Sequence, residues 1–129
     1  MIYVTDTHGL IWFLSESKSL SNKAREIFEN SEKGESTIVI PTIVLAELLH
    51  ICENKNLIDK FSRIIENIAK GTNHDMYDLN LGVILESRNL TKIPEMHDKI
   101  ITATARILNA ELITKDKEIK NSGYVKTVW

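Results

Sequence analysis

Short apolar segments that alternate with helical ones constrain the fold of this chain more than any other feature. They are IYV at residues 2–4, STIVIP at 36–41, ELIT at 111–114 and YVKTV at 124–128, with a weaker candidate at Met76-Tyr77. Their density of β-branched and aromatic residues is typical of buried strands. Strands that alternate with helices favour an α/β fold, a three-layer α/β/α sandwich around a mainly parallel sheet.

The segments between these strands carry apolar residues at helical spacing. Helices are predicted just after Asp6 and over 21–32, 42–55, 56–69, 79–89 and 98–108, with a helical turn at 116–119. The helices over 42–55 and 56–69 are expected to form an antiparallel hairpin. KGTNHD at 70–75 is predicted to be a turn, and LTKIPEM at 90–96 a loop.

Size and charge limit the possible architectures and functions. The chain has 129 residues, which fit a single domain over 1–129, and its net charge of -2 gives no global positive field for nucleic acid. The single cysteine, Cys52, allows no internal disulfide, and the start lacks the pattern of a signal peptide. With no apolar run of membrane-spanning length, we expect a soluble cytoplasmic protein.

Four acidic residues lie in or just beyond the positions that follow predicted strands. Asp6 follows the first strand, Glu47 lies two turns into the helix after the second, Asp98 opens the helix after Pro94, and Asp116 follows ELIT. Ligands of open parallel sheets bind at the carboxyl ends of the strands. If the strands are parallel neighbours, these four carboxylates converge in one pocket.

Each acid also has a purely structural explanation. Asp6, Asp98 and Asp116 precede helical segments and could act as N-caps. Glu47 is flanked by apolar residues, so it is expected to be buried and could be paired with a Lys or Arg.

Four carboxylates in one pocket would repel one another unless a cation lay among them. Oxygen ligands without cysteine or paired histidines suit Mg²⁺ or Mn²⁺, and such ions support hydrolysis of phosphodiesters. Strand alternation gives Thr114 the same direction as Asp116, so its hydroxyl is expected at the site. Thr102, one turn after Asp98, could reach the site or bond its own helix backbone.

The constellation resembles the PIN-domain ribonucleases, and among them the VapC-like toxins of toxin-antitoxin pairs. The matching segments run in order through nearly the whole chain, although residues 51–89 contribute only a helical pattern; they are VTDTHGLIW, IPTIVLAEL, HDKIITATA, LITKD and VKTVW.

The resemblance implies specific roles for individual residues. Asp6, Glu47, Asp98 and Asp116 correspond to the family's four acids, and Thr114 to a frequent Ser or Thr. Many relatives have a further aspartate just before the third acid, which this chain lacks. The resemblance also implies a metal-dependent endoribonuclease, a homodimer and inhibition by a cognate antitoxin.

Basic and aromatic residues near the acids allow two interpretations. Lys99, Lys115 and Lys117 flank Asp98 and Asp116, so they could meet RNA phosphates or simply be solvated. His8 and His97 could act as general bases or only bond backbone. The aromatic residues near the first acid and at position 129 could stack on bases or pack in the core or a dimer interface; they are Trp12, Phe13 and Trp129.

Two other functions stay open at this point. A receiver-like signalling domain is also a small α/β sandwich with an acidic Mg²⁺ pocket, but Asp6 is not followed by the adjacent acid that it would need. A catalytically silent binding module could use the same acids as caps or partner contacts.

Overall fold

The computed structural model describes residues 1–70 and 73–129. Its centre is a five-stranded sheet of β1 (Ile2–Thr5), β2 (Thr37–Pro41), β3 (His74–Tyr77), β4 (Glu111–Ile113) and β5 (Thr127–Val128). The spatial order is β3-β2-β1-β4-β5, and all four pairings are parallel. Helices cover the sheet in a three-layer α/β/α sandwich, which confirms the predicted fold class.

Seven helices connect the strands in the described part of the chain. They are α1 (Thr7–Leu14), α2 (Asn22–Glu32), α3 (Thr42–Asn54), α4 (Ile58–Ala69), α5 (Leu81–Ser87), α6 (Met96–Ile107) and α7 (Lys117–Ser122). The side chains of Ser21 and Asn80 cap α2 and α5 by accepting hydrogen bonds from backbone N–H groups. Helices α3 and α4 pack against each other, in keeping with the predicted hairpin.

The strand and helix limits differ from the prediction at four places. β3 already begins at His74, within the turn predicted for 70–75; residues 71 and 72 of that turn lie outside the described residues. Helix α5 is shorter than predicted, and α6 begins at Met96, two residues before Asp98. The final strand contains only Thr127 and Val128, because Tyr124 is held by Lys92 and Arg106 instead.

The core lies where the central strands meet α6 and α2. Val4, Ile38 and Leu112, one from each of the three central strands, are fully buried. On α6, small buried residues such as Ala103 and Ala105 allow the helix to approach the sheet closely. No helix among the described residues is long and apolar enough to cross a membrane.

The strand order positions one edge of the sheet for ligand binding. β1 is central, and the chain leaves it toward β2 on one side while β4 pairs on the other. Open parallel sheets form a crevice beyond their carboxyl ends at such a reversal. The crevice of this protein therefore lies beyond Thr5 and Ile113, and the backbone N–H of Asp6 donates to the Ile113 carbonyl there at 3.2 Å.

Candidate active site

Asp6 is fixed at the end of β1 by hydrogen bonds to both of its carboxylate oxygens. Oδ1 accepts from the backbone N–H of Gly9 at 2.7 Å and so caps α1, while Oδ2 accepts from the Thr114 hydroxyl at 2.6 Å. Gly9 leaves room for this approach, since a Cβ there would make tight contacts of 3.0 Å with Thr5 Oγ1 and 3.1 Å with Asp6 Oδ1. The predicted cap role of Asp6 is therefore confirmed, and its role in a metal site stays a prediction.

Thr114 joins the first and fourth acids. It lies just beyond β4, is only 2% exposed, and also accepts from the backbone N–H of Asp116 at 3.1 Å. Asp116 in turn caps α7 by accepting from the backbone N–H of Ile119 at 2.9 Å. The hydroxyl of Thr114 thus fixes the Asp6 carboxylate relative to the loop that carries Asp116.

Glu47 reaches the same edge from α3 but differs from the expectation for a buried acid. It is only partly buried, because α3 presents this position at its margin. Its Oε1 accepts from the Thr7 hydroxyl at 2.9 Å, a contact that sequence reasoning missed. Within residues 1–70 and 73–129, none of the four acids forms an ion pair with a Lys or Arg. The alternative of a salt bridge for Glu47 is therefore wrong.

Asp98 does not begin its helix. Glu95 caps α6 instead, because its Oε2 accepts from the backbone N–H of Asp98 at 2.8 Å, so the expected cap role of Asp98 is wrong. The signal for this second missed residue was an acid that follows Pro94 and precedes Asp98 by three positions. Asp98 lies in the first turn of α6 with its side chain partly exposed.

The pKa of Asp98 shows that all four acids interact. This pKa is raised from 3.8 to about 6, mainly by burial and then by the charges of Asp116, Glu95, Asp6 and Glu47 in that order. Like charges disfavour the ionised form of a carboxyl group only when they lie close by. The charges of the acids predicted from four separate segments therefore act on one another at Asp98.

Asp6 is subject to opposing effects. Burial raises its pKa, whereas the hydrogen bonds from Thr114 and Gly9 lower it, as does the charge of His8; Asp116 raises it again. Donors aimed at the carboxylate stabilise its charged form. Burial outweighs these donors, so the net pKa of Asp6 lies above its ordinary value and its charged form is disfavoured unless a cation is bound.

The chemistry of the four acids fits a hard divalent cation. All ligands are oxygen atoms, they repel one another, and no lysine or arginine of the described chain neutralises them. As the side chains stand, no three His, Cys, Asp or Glu residues of the described ranges are grouped closely enough to hold an ion. Ion binding would therefore draw the carboxylates together from their present positions.

Thr102 is a buried hydroxyl without a partner. Its Oγ1 lies one turn after Asp98 on α6, is fully buried, and has no hydrogen-bond partner among the described residues. The expected bond to its own helix backbone is wrong; Thr104 makes such a bond, to the carbonyl of Ile100 at 2.9 Å.

The histidines and lysines near the site have different environments. His97 bonds Glu95 through Nδ1 at 2.7 Å, and this bond raises its pKa, with the charge of Glu47 contributing further. Lys115 holds its ammonium 4.6 Å from the centre of the Trp12 ring. Lys99 is partly exposed and Lys117 is exposed, so both are accessible to a ligand.

Comparison with known proteins supports the predicted resemblance. The family model for the PIN domain matches residues 3–123. No curated protein sequence gives a significant match.

Solved structures with the same fold come from several bacteria. A chain of VapBC2 from Rickettsia felis bound to a DNA fragment from their promoter is 23% identical, with a TM-score of 0.77 over 100% of this chain and 99% of that chain. A toxin-antitoxin complex from Klebsiella pneumoniae gives 19% identity and a TM-score of 0.72, covering 98% and 96%. A chain of DNA-bound VapBC from Salmonella typhimurium is 14% identical, with a TM-score of 0.75 over 99% of this chain and 97% of that chain.

Proposed function

Because this chain belongs to the PIN domain family, we propose that it is a metal-dependent endoribonuclease that hydrolyses RNA phosphodiester bonds. The proposed catalytic residues are Asp6, Glu47, Asp98, Asp116 and Thr114. One observation carries the proposal: the pKa of Asp98 is raised to about 6 with contributions from the other three acids. A cluster that repels itself in this way gains stability from a bound cation.

Each residue has a distinct task in this proposal. Asp6, Asp98, Asp116 and Glu47 hold Mg²⁺ or Mn²⁺, and a bound ion supplies activation of water and neutralisation of charge on the phosphate. Thr114 orients Asp6 through its 2.6 Å hydrogen bond and, through the Asp116 N–H, the following loop. The order of β1 and β4 in the sheet brings these groups to the same crevice.

The lysines around the acids supply local positive charge. Lys99, Lys115 and Lys117 flank Asp98 and Asp116 in a chain whose net charge is -2. RNA phosphates are attracted by such local cations even where the whole protein has no positive field. These three residues are the proposed phosphate contacts.

The partners in this proposal follow from the relatives. Structures with this fold include a toxin-antitoxin complex and two VapBC assemblies. We therefore assign to this chain the role of a VapC-like toxin with a cognate antitoxin. The family resemblance adds the proposal that it acts as a homodimer in the cytoplasm. Its expression should arrest bacterial growth, and co-expression of the cognate antitoxin should restore it.

Cleavage of a labelled single-stranded RNA tests the proposed activity. Wild-type protein should cleave in Mg²⁺ or Mn²⁺ and not in EDTA, and Asp98→Asn should be inactive while still folded. Asp59→Asn is the matched control, because Asp59 is an exposed acid in the first turn of α4 and outside the acidic cluster. Cleavage that persists in EDTA would contradict the metal mechanism.

Two alternatives make different predictions in the same assay. The strand order β3-β2-β1-β4-β5 differs from the 2-1-3-4-5 order of flavodoxin-like folds, and the PIN match leaves the receiver-like alternative without support. A silent binding module would bind RNA or protein without cleavage in any metal.

A further inference from the structure

An aromatic cluster borders the acidic crevice. The His8 ring centre lies 5.2 Å from that of Trp12, and the edge of Trp129 meets Trp12 at 5.8 Å in a T-shaped contact. The ammonium of Lys115 lies over the Trp12 ring at 4.6 Å. Three rings and a cation from three separate parts of the chain thus form one continuous surface feature, the aromatic platform (His8, Trp12, Trp129 and Lys115).

The platform lies directly beside the proposed catalytic residues. His8 follows Asp6 by two positions, and Lys115 lies between Thr114 and Asp116. Pairing of Ile113 with Val128 brings Trp129 to the end of β4, where the Thr114 N–H donates to the Val128 carbonyl at 3.2 Å. Thr114 therefore bonds Asp6 through its hydroxyl and, through its backbone N–H, the residue that precedes Trp129.

The aromatic residues of this region differ in their partners and not in their degree of exposure. His8 and Lys115 are exposed, and Trp12 and Trp129 keep part of their surface in solvent while the rest packs against the core. Phe13, the next residue after Trp12, is also partly buried, but its ring stacks at 4.6 Å on the fully buried ring of Phe28. Phe13 therefore contacts a core ring, whereas Trp12 contacts His8, Trp129 and Lys115.

We infer that the aromatic platform binds a base of single-stranded RNA next to the phosphodiester to be cleaved. This inference rests on the proposed function, since it supplies the substrate contact of the same site. An acidic crevice in a chain of net charge -2 attracts RNA only weakly by charge, whereas stacking on aromatic rings is independent of net charge and tolerates any sequence.

Lys115 has a defined part in this binding. In the free protein its ammonium lies over the face of Trp12, where the cation–π contact holds it. A base that stacks on Trp12 takes this place, and the exposed lysine side chain moves to the adjoining phosphate. One contact is exchanged for two, a stacked base and an ion pair.

Tryptophan fluorescence reads this site directly, because both tryptophans of the chain belong to the platform. The full chain carrying Asp98→Asn, which is not expected to cleave, is titrated with a short single-stranded oligouridylate in Mg²⁺. The emission should be quenched on binding, and an RNA duplex, whose bases are already stacked, should quench much less. A label on the RNA shows independently when the protein is saturated. Unquenched tryptophan emission at saturation would overturn the inference.

Substitutions separate stacking from charge and from structure. Trp12→Leu should weaken binding about tenfold at every salt concentration, and Trp12→Phe should retain most of the affinity because a ring remains. Lys115→Ala should reduce the slope of log K against log salt by about one, as expected for one lost phosphate contact. Phe13→Leu, which alters the neighbouring inward ring, is the matched control and should leave RNA affinity unchanged.

The outcome is separable from that of the proposed nuclease activity. In one outcome the wild-type protein cleaves RNA, but the double variant Trp12→Leu/Asp98→Asn binds RNA as tightly as Asp98→Asn alone. The proposed role of the platform is then wrong, and the nuclease proposal stands. If the wild type does not cleave but RNA still quenches the tryptophans and Trp12→Leu binds weakly, the platform stands and the nuclease is wrong. Thermal unfolding of each variant confirms that the folded state is compared.

Discussion

The two halves of the acidic site are built differently. The strand-borne acids, Asp6 and Asp116, cap helices with their side chains and are linked through the Thr114 hydroxyl. The helix-borne acids, Glu47 and Asp98, lie within α3 and α6 and cap nothing. Both halves reach the same crevice, but the carboxylates of the strand-borne acids accept more hydrogen bonds from backbone and hydroxyl donors than those of the helix-borne acids do.

This difference shows how a small fold accommodates concentrated negative charge. For Asp6, the donors from the N-terminus of α1 and from Thr114 lower the pKa and partly offset the effect of burial. Asp98 receives no such donor to its carboxylate among the described contacts, and its pKa rises to about 6. The helix-borne half therefore depends more on a cation than the strand-borne half does.

Loss of an acid from either half should abolish cleavage but change stability in opposite directions. Asp98→Asn and Asp6→Ala should each lower the cleavage rate by more than about a hundredfold. Asp98→Asn should raise the free energy of unfolding at pH 7, because it removes a repelled charge. Asp6→Ala should lower it by about 1 kcal/mol, because α1 loses its cap. Denaturant unfolding alongside the cleavage assay measures both.

Equal changes in the free energy of unfolding for Asp98→Asn and Asp6→Ala would contradict the proposed difference between the two halves. A control for the cap alone is Ser21→Ala, which removes the side-chain cap of α2 away from the acids. It should cost a similar amount of stability and leave cleavage intact.

The two hydroxyl donors should differ in importance for catalysis. Thr114→Val removes the hydrogen bond to Asp6 and should reduce cleavage by about 10- to 100-fold, as is usual for residues that orient metal ligands. Thr7→Val removes only the contact with Glu47 and should reduce it less. Manganese affinity, measured by calorimetry, should be reduced more in Thr114→Val than in Thr7→Val. The reverse order would show that orientation of Glu47 matters more than orientation of Asp6.

Sequence reasoning predicted the local contacts of the strand-borne acids better than those of the helix-borne acids, for a physical reason. A strand end followed by a helix cap is a local pattern, so the cap alternative is confirmed for Asp6 and Asp116 but not for Asp98. The partners of Glu47 and Asp98 depend on tertiary placement: Thr7 lies 40 positions before Glu47, and Glu95 displaces Asp98 from the cap. The short β5 has the same origin, since Lys92 and Arg106 hold Tyr124 from a distance in sequence.

The pH dependence of stability should come mainly from the helix-borne half. In the folded protein Asp98 has a pKa of about 6, above its ordinary 3.8, so the folded state holds this proton more tightly. Its stabilising contribution is complete below about pH 4 and is lost as the pH rises through 6. Solvent screening limits the loss to about 1 kcal/mol.

Unfolding in EDTA at a series of pH values measures this contribution. Asp98→Asn should lack it, and saturating Mn²⁺ should restore stability to the wild type at pH 7. A wild type and an Asp98→Asn variant with identical pH profiles would contradict the assigned repulsion.

The smallest expected effect concerns Thr102. Replacement of its unpartnered buried hydroxyl by a methyl group in Thr102→Val should raise the free energy of unfolding by up to about 1 kcal/mol. Cleavage should change little, because Thr114 and not Thr102 orients an acid. Thr104→Val is the contrasting variant, since Thr104 uses its hydroxyl, and it should not be stabilised. A stability loss in Thr102→Val would show that this hydroxyl is satisfied.

Mn²⁺ binding followed by electron paramagnetic resonance tests most directly whether the two halves form one metal site. The wild-type chain should bind Mn²⁺, and Asp6→Asn in the strand-borne half and Asp98→Asn in the helix-borne half should each weaken that binding strongly, while Asp59→Asn should not. Undiminished binding in either site variant would show that the two halves do not share an ion, and would contradict the single acidic site on which the proposed function rests.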